Sequence, residues 1–268
     1  MKQWMLAAAV AAALVACAST TSPTGRKQYM AYSDAELNQV GAQAFNEMKA
    51  KQQTLSGGQQ SAYVQCVVQA LVAQLPPDWR SLPWETAVFV DDSPNAFALP
   101  GGKVGVHTGM FKVAKNQDQL AAVIGHEIGH VYARHTNERV SRQAATTGVL
   151  GVLGAVAGAR YGQGASQMVT QGGSTLANLG LLLPFSRTQE TESDEIGQQL
   201  MAQAGFDPAQ AVNLWENMIA ESGSRQPEWM STHPDPQNRI ATLRQRAPAL
   251  QGTYQAARNA GRTPRCSP

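Results

Sequence analysis

Residues 124–135, Ile-Gly-His-Glu-Ile-Gly-His-Val-Tyr-Ala-Arg-His, hold three of the chain's five histidines. On an α-helix each residue turns about 100°, so His126 and His130 lie one turn apart on the same face, about 40° from each other. Two imidazoles so stacked can aim nitrogens at one divalent ion. Glu127 lies about 100° round from His126, able to touch a metal-bound water without being a ligand. This is the H-E-x-x-H pattern, in which zinc acidifies its water and the glutamate takes the proton. Gly125 and Gly129 flank the pair and cost about 1 kcal/mol each in helix propensity. A helix that accepts this cost beside two histidines needs close backbone approach there. By the same helical wheel His135 falls about 140° from His130 and about 180° from His126. It is expected to face solvent.

H-E-x-x-H also arises by chance, and a catalytic zinc site needs a third protein ligand and an open position. The candidate lies in Ser186-Arg187-Thr188-Gln189-Glu190-Thr191-Glu192-Ser193-Asp194. Glu190 and Asp194 are again one turn apart. Glu190 can bind the metal while Asp194 accepts an N–H from a ligating histidine. Glu192, about 200° from Glu190, points elsewhere. Taken alone, this run is an ordinary solvated acidic face. A third piece, Ser231-Thr232-His233-Pro234-Asp235-Pro236-Gln237-Asn238-Arg239, marks a loop-to-helix junction. His233 there can stabilise an oxyanion or approach the metal in a resting form.

Around these motifs the pattern is mainly helical. Helices are expected from Ser33, from Gly58 to about Gln74, from an Asn116 cap through the histidines, and over 186–204, 208–222 and 235–245. Three short strand-like runs, 86–90, 96–99 and 103–107, are separated by Asp91-Asp92-Ser93-Pro94 and Pro100-Gly101-Gly102. They predict a small sheet with an exposed edge. The fold class is therefore α+β with one core, which 268 residues suffice to bury. Charged residues make up 15% and the net charge is +2, with no dense run of Lys and Arg, so nucleic acid is excluded as a partner.

Lys2 and the apolar run from Trp4 to Ala16 read as a signal peptide, too short to cross a bilayer. The run ends in Leu14-Val15-Ala16-Cys17, which resembles a bacterial lipoprotein signal in which Cys17 is lipidated. Ala18 after it favours the outer membrane by the same resemblance, and the acyl chains would anchor the protein there. Residues 1–16 are then the leader, 17–32 a Ser/Thr/Pro/Gly-rich tether, 33–250 the folded domain and 251–268 a tail. Cys66 and Cys266 remain, a pair expected to form a disulfide in an oxidising periplasm. Residues 144–183 are Gly- and Ala-rich with little charge. They either cover the cleft or pack as small-residue helices on the core.

Together, His126-Glu127-x-x-His130, Ser186-Arg187-x-x-Glu190-x-x-x-Asp194 and His233-Pro234-x-x-x-x-Arg239 resemble the gluzincin metallopeptidases of the CaaX prenyl protease and HtpX type. Asn95-Ala96-Phe97-Ala98-Leu99-Pro100-Gly101-Gly102 is similar to that family's segment before its edge strand, and the resemblance spans roughly residues 33–247. It implies one Zn2+ held by His126, His130 and Glu190, with Glu127 as general base. It also implies Asp194 behind a ligand, and His233 with Arg239 supporting the transition state. Ser193 stands where the family usually has alanine. Without transmembrane helices the chain looks like the periplasmic lipoprotein branch. That implies action on unfolded or misfolded outer-membrane proteins, with the outer-membrane assembly machinery as a partner. A chaperone-like assembly factor with latent peptidase activity is the alternative.

Overall fold

A computed structural model describes residues 19–146, 185–222, 229, 232–234 and 236–268. The expected leader, Cys17 and nearly all of the 144–183 segment lie outside the described residues. Two short strands come first, β1 (Ser19–Thr21) and β2 (Lys27–Tyr29). Next are α1 (Asp34–Lys51), α2 (Gln59–Val72) and the single turn α3 (Pro77–Arg80). The strands β3 (Glu85–Phe89), β4 (Ala96–Leu99) and β5 (Lys103–His107) follow, then the turn α4 (Met110–Val113). The remaining helices are α5 (Gln117–Tyr132), α6 (residues 135–146), α7 (Arg187–Ala204), α8 (Gln210–Ser222) and α9 (Pro236–Asn259).

The described chain is mainly helical with a small three-stranded sheet, as the pattern predicts, and a two-stranded one that it does not. The three strands form one sheet in the order β3-β5-β4, with β5 parallel to β3 and antiparallel to β4. Every residue of β5 is buried, as befits a central strand, and β4 is an edge. One main core joins α2, α5, α7 and α8 through Leu71, Leu120, Ile124, Ile128, Met201 and Leu214. Phe45, Phe89 and Leu99 form a smaller cluster that seats α1 on the sheet. Among the described residues, no helix is long and apolar enough to cross a membrane.

Two stretches depart from the expected pattern. Residues 17–32, read as a loose tether, carry the antiparallel β1–β2 pair from Ser19 onward. Its order comes from long-range polar contacts. Arg26 binds both oxygens of buried Glu138 at 2.7 Å, and Gln28 donates to the Ala133 carbonyl at 2.7 Å. At the other end, α9 continues past 245 and 250 to Asn259 despite Pro248 inside it. Buried Leu243, Ala247, Leu250 and Ala257 recur at helical spacing, and their packing outweighs the hydrogen bond that proline removes. Beyond it, Cys266 is bonded to Cys66 of α2.

Candidate metal centre

The side chain of Asn116 caps α5 by accepting from the Gln119 N–H at 2.9 Å. Ser186 and Gln189 form a reciprocal capping box on α7. The two helices cross where the glycines sit. A Cβ on Gly129 would lie 2.8 Å from the Ser193 carbonyl oxygen, and one on Gly197 would lie 2.7 Å from the Gly125 carbonyl carbon. The close approach inferred from the glycines is therefore real, and its partner is α7. The Ser193 hydroxyl donates to the His126 carbonyl at 2.5 Å across the same crossing. That gives a physical reason for serine there in place of alanine.

This crossing brings His126, His130 and Glu190 together, and the segment just before α9 adds His233; the ligand atoms of these four buried donors all lie within 4.8 Å of one another. His126 Nε2 is 3.0 Å from His130 Nε2 and 3.3 Å from His233 Nδ1. Glu190 oxygens are 3.5 Å from His126 Nε2, 3.4 Å from His130 Nε2 and 3.1 Å from His233 Nδ1. Nitrogen and oxygen ligands at about 2.0–2.1 Å from a tetrahedral ion are separated by roughly 3.3 Å. The donor spacing and the donor chemistry both fit zinc.

The outer groups are arranged with the same economy. Asp194 Oδ1 faces His126 Nδ1 at 2.8 Å. Arg239 donates to both oxygens of Asp194, at 2.6 and 2.7 Å, and lies 2.6 Å from Glu190. Its guanidinium also stacks over Trp215 at 3.9 Å. Arg239, expected to support the transition state, lies against these two carboxylates. Burial opposes the charged form of Glu190, yet Arg239 and the surrounding imidazoles hold it well below the usual carboxylate range. Burial drives His130 well below the ordinary histidine value, the neutral form a metal needs.

Glu127 stands beside the cluster rather than in it. Its Oε1 is 3.6 Å from His233 Nε2, and the Ala98 N–H of edge strand β4 donates to its carboxylate. Burial pushes its pKa up. Next to it Met110, Val123, Leu214, Trp215, Met218 and Trp229 line an apolar cavity of about 20 Å3.

One expectation fails. His135 is fully buried, not solvent-facing. The helix ends at Tyr132, and Arg134 takes a left-handed conformation at φ 56°. The helical wheel does not extend through that break, and the chain turns His135 back beneath His130, Nδ1 to Nδ1 at 2.8 Å. Glu192, pointing away from the ligands as its angle requires, meets His135 Nε2 at 3.0 Å. Phe185, stacked on His130 with centroids 3.9 Å apart, and Trp215 were also missed. No local pattern marks them, because both contacts join distant segments.

The signature described as Peptidase family M48 matches residues 58–247. The mitochondrial metalloendopeptidase OMA1 of Schizosaccharomyces pombe is 39% identical over 191 residues, 70% of this chain and 53% of that protein. The beta-barrel assembly-enhancing protease of Escherichia coli is 36% identical over 170 residues, 62% of this chain and 34% of that protein. OMA1 of Arabidopsis thaliana is 36% identical over 166 residues, 62% of this chain and 32% of that protein. The chain thus spans about half or less of the length of these relatives. With the signature covering more than half of the sequence and the four-donor cluster at the crossing of α5 and α7, the chain belongs to peptidase family M48, the zinc metallopeptidases.

Proposed function

We propose that this chain is a zinc-dependent endopeptidase that hydrolyses unfolded or misassembled envelope proteins. The observation that carries the reading is the convergence of His126, His130 and Glu190 with Glu127 beside them and outside the ligand set. Zinc, when bound, supplies a Lewis acid for the scissile carbonyl and lowers the pKa of a water. Glu127 takes the proton of the attacking water and returns it to the leaving amine. The raised pKa that burial gives Glu127 suits a group that must accept a proton and release it. Asp194 and Arg239 fix the orientation of His126, and Arg239 also fixes Glu190. The free edge of β4 accepts an extended substrate through backbone hydrogen bonds, a mode that reads unfoldedness more than side-chain identity.

The leader and Leu14-Val15-Ala16-Cys17 support a periplasmic protein attached to the outer membrane through lipidated Cys17. The relative named as a beta-barrel assembly-enhancing protease supports a link to outer-membrane assembly. The test is metal analysis and cleavage of an unfolded protein such as casein by wild type and Glu127→Gln. Zinc in both with cleavage lost in the variant is expected; cleavage by the variant at the wild-type rate sinks the proposal.

A specific observation favours a second reading, a chaperone-like assembly factor whose peptidase activity is latent. His233 Nδ1 converges with the other three donors and would take the position that a catalytic zinc keeps open, and the adjoining cavity is small. Full rescue of a knockout phenotype by Glu127→Gln would select this reading over catalysis.

A further inference from the structure

The two histidines of the H-E-x-x-H helix are braced in different ways. His126 meets a carboxylate directly, through Asp194. His130 meets another imidazole. With Nε2 turned to the donor cluster, His130 Nδ1 must carry the proton and donate to His135 Nδ1 at 2.8 Å. His135 then carries its own proton on Nε2 and donates to Glu192 Oε2 at 3.0 Å. Glu192 lies on α7 two residues from Asp194, but its remaining partners, Ser22, Thr24 and Arg26, come from the turn between β1 and β2. The Thr24 hydroxyl donates to Oε1 at 2.5 Å and Arg26 Nε donates to Oε2 at 2.8 Å. Arg26 is itself held by both oxygens of Glu138. Glu138, Glu192 and His135 are all buried, so none can exchange these partners for water without opening the structure.

We propose that Arg26 and Thr24 hold His130 in its ligating orientation through Glu192 and His135, so that metal affinity depends on how the β1–β2 segment is seated. This rests on the reading of His130 as a zinc ligand. The physical case is that a ligating imidazole is oriented by what its other nitrogen bonds. His135 is the first residue of α6, directly after the left-handed Arg134, and its two ring nitrogens face His130 and Glu192. Its ring is fixed by Glu192, and Glu192 is fixed by a guanidinium delivered from residue 26. β1 begins two residues beyond Cys17, so the segment that would carry a lipid is also the one that braces the ligand.

The test is zinc affinity of the full chain, read by competition with a chromophoric chelator, together with the visible spectrum of the cobalt(II) form. His135→Phe is expected to weaken zinc about 10–100-fold and to alter the cobalt spectrum. Arg26→Ala is expected to weaken it in the same direction by a smaller factor, and Arg26→Lys to recover part of the loss. The double variant should bind no more weakly than His135→Phe alone, because both changes cut one relay. Melting of the metal-free forms identifies a variant that is merely unfolded. If His135→Phe fails to fold, Glu192→Gln, which keeps the side chain's shape, reads the same relay. Wild-type affinity in Arg26→Ala or in a folded relay variant, or additive losses in the double, overturns the proposal. His130→Ala separates the two readings. If it binds zinc like wild type, the ligand assignment falls and the relay with it. If it loses zinc while His135→Phe and Arg26→Ala keep it, only the relay falls.

Discussion

Glu127 sits between two groups, and its proposed task as general base can be read against them. It has the Ala98 N–H on one side and His233 on the other, and burial biases it toward holding a proton. Because it is not among the four converging donors, its replacement should separate binding from chemistry. Glu127→Gln is expected to keep zinc affinity within a few-fold while cleavage falls by about 10^2–10^4-fold, the range for loss of a general base. Equal losses in affinity and turnover would instead make Glu127 a ligand. His126, Glu127, His130, Glu190 and Asp194 were legible in sequence because the period of an uninterrupted helix fixes their angles. His135 was not. A single left-handed residue, Arg134, ends that period, and arginine is not a residue whose identity announces such a turn. Glu192 was legible in direction only; what it meets comes from residues 166 and 168 positions away.

At the scale of elements, the site exists because α5 and α7 come close enough for side chains of both to share one centre. Gly129 permits this, since any Cβ there would press on Ser193 of α7. Gly129→Val is expected to cost about 1–3 kcal/mol by overpacking and to weaken zinc with it, measured by thermal melting and chelator competition. Full stability with full affinity would mean that the crossing relaxes freely. The strands and most helices were legible from their periods and turn residues. The β1–β2 segment was not, because two three-residue strands in a Ser/Thr/Pro/Gly-rich stretch resemble a linker, and groups far along the chain, buried Glu138 and Glu192 among them, order them. Those acids also set its pH dependence. Burial opposes the charge of Glu138 and Glu192, but hydrogen bonds, from Arg26 to Glu138 and from His135, Ser22, Thr24 and Arg26 to Glu192, hold both below the ordinary carboxylate value. Their stabilisation is complete above the unfolded pKa near 4.5 and is lost as the pH falls through the lower folded values. Melting temperature should therefore drop on acidification below about pH 4.5, and drop less steeply in Arg26→Ala. Parallel curves for the two proteins would remove Arg26 from the account.

On the scale of the whole molecule the two ends of the described chain do different work. The turn between the N-terminal strands reaches His130 through Glu192 and His135. The C-terminal tail reaches only the frame. Its Cys266 N–H donates to Gln117 at the start of α5, Gln117 donates back to the Pro264 carbonyl, and Arg262 donates to the Gln203 carbonyl near the end of α7. The disulfide to Cys66 then closes a loop of sequence separation 200. The pairing, which ties the C-terminal tail to the N-terminal helical region, was legible from the cysteine count; the run of α9 past 245 to Asn259 was not. Constraining so long a loop in the unfolded chain is worth up to about 5 kcal/mol in the chain-entropy treatment, and removing such a bridge typically costs about 2–5 kcal/mol. Cys266→Ser is therefore expected to lower the denaturation midpoint by that order. The folded protein should keep zinc affinity within a few-fold, because among the described residues the tail's hydrogen bonds run to Gln117, Gln203 and Gly205 and none reaches the four converging donors. Arg26→Ala should show the reverse balance, a smaller stability change and a larger loss of zinc. If removing the disulfide weakened zinc as strongly as cutting the relay, fold and metal would be one cooperative unit. The division between a bracing N-terminal segment and a clamping C-terminal one would then be wrong.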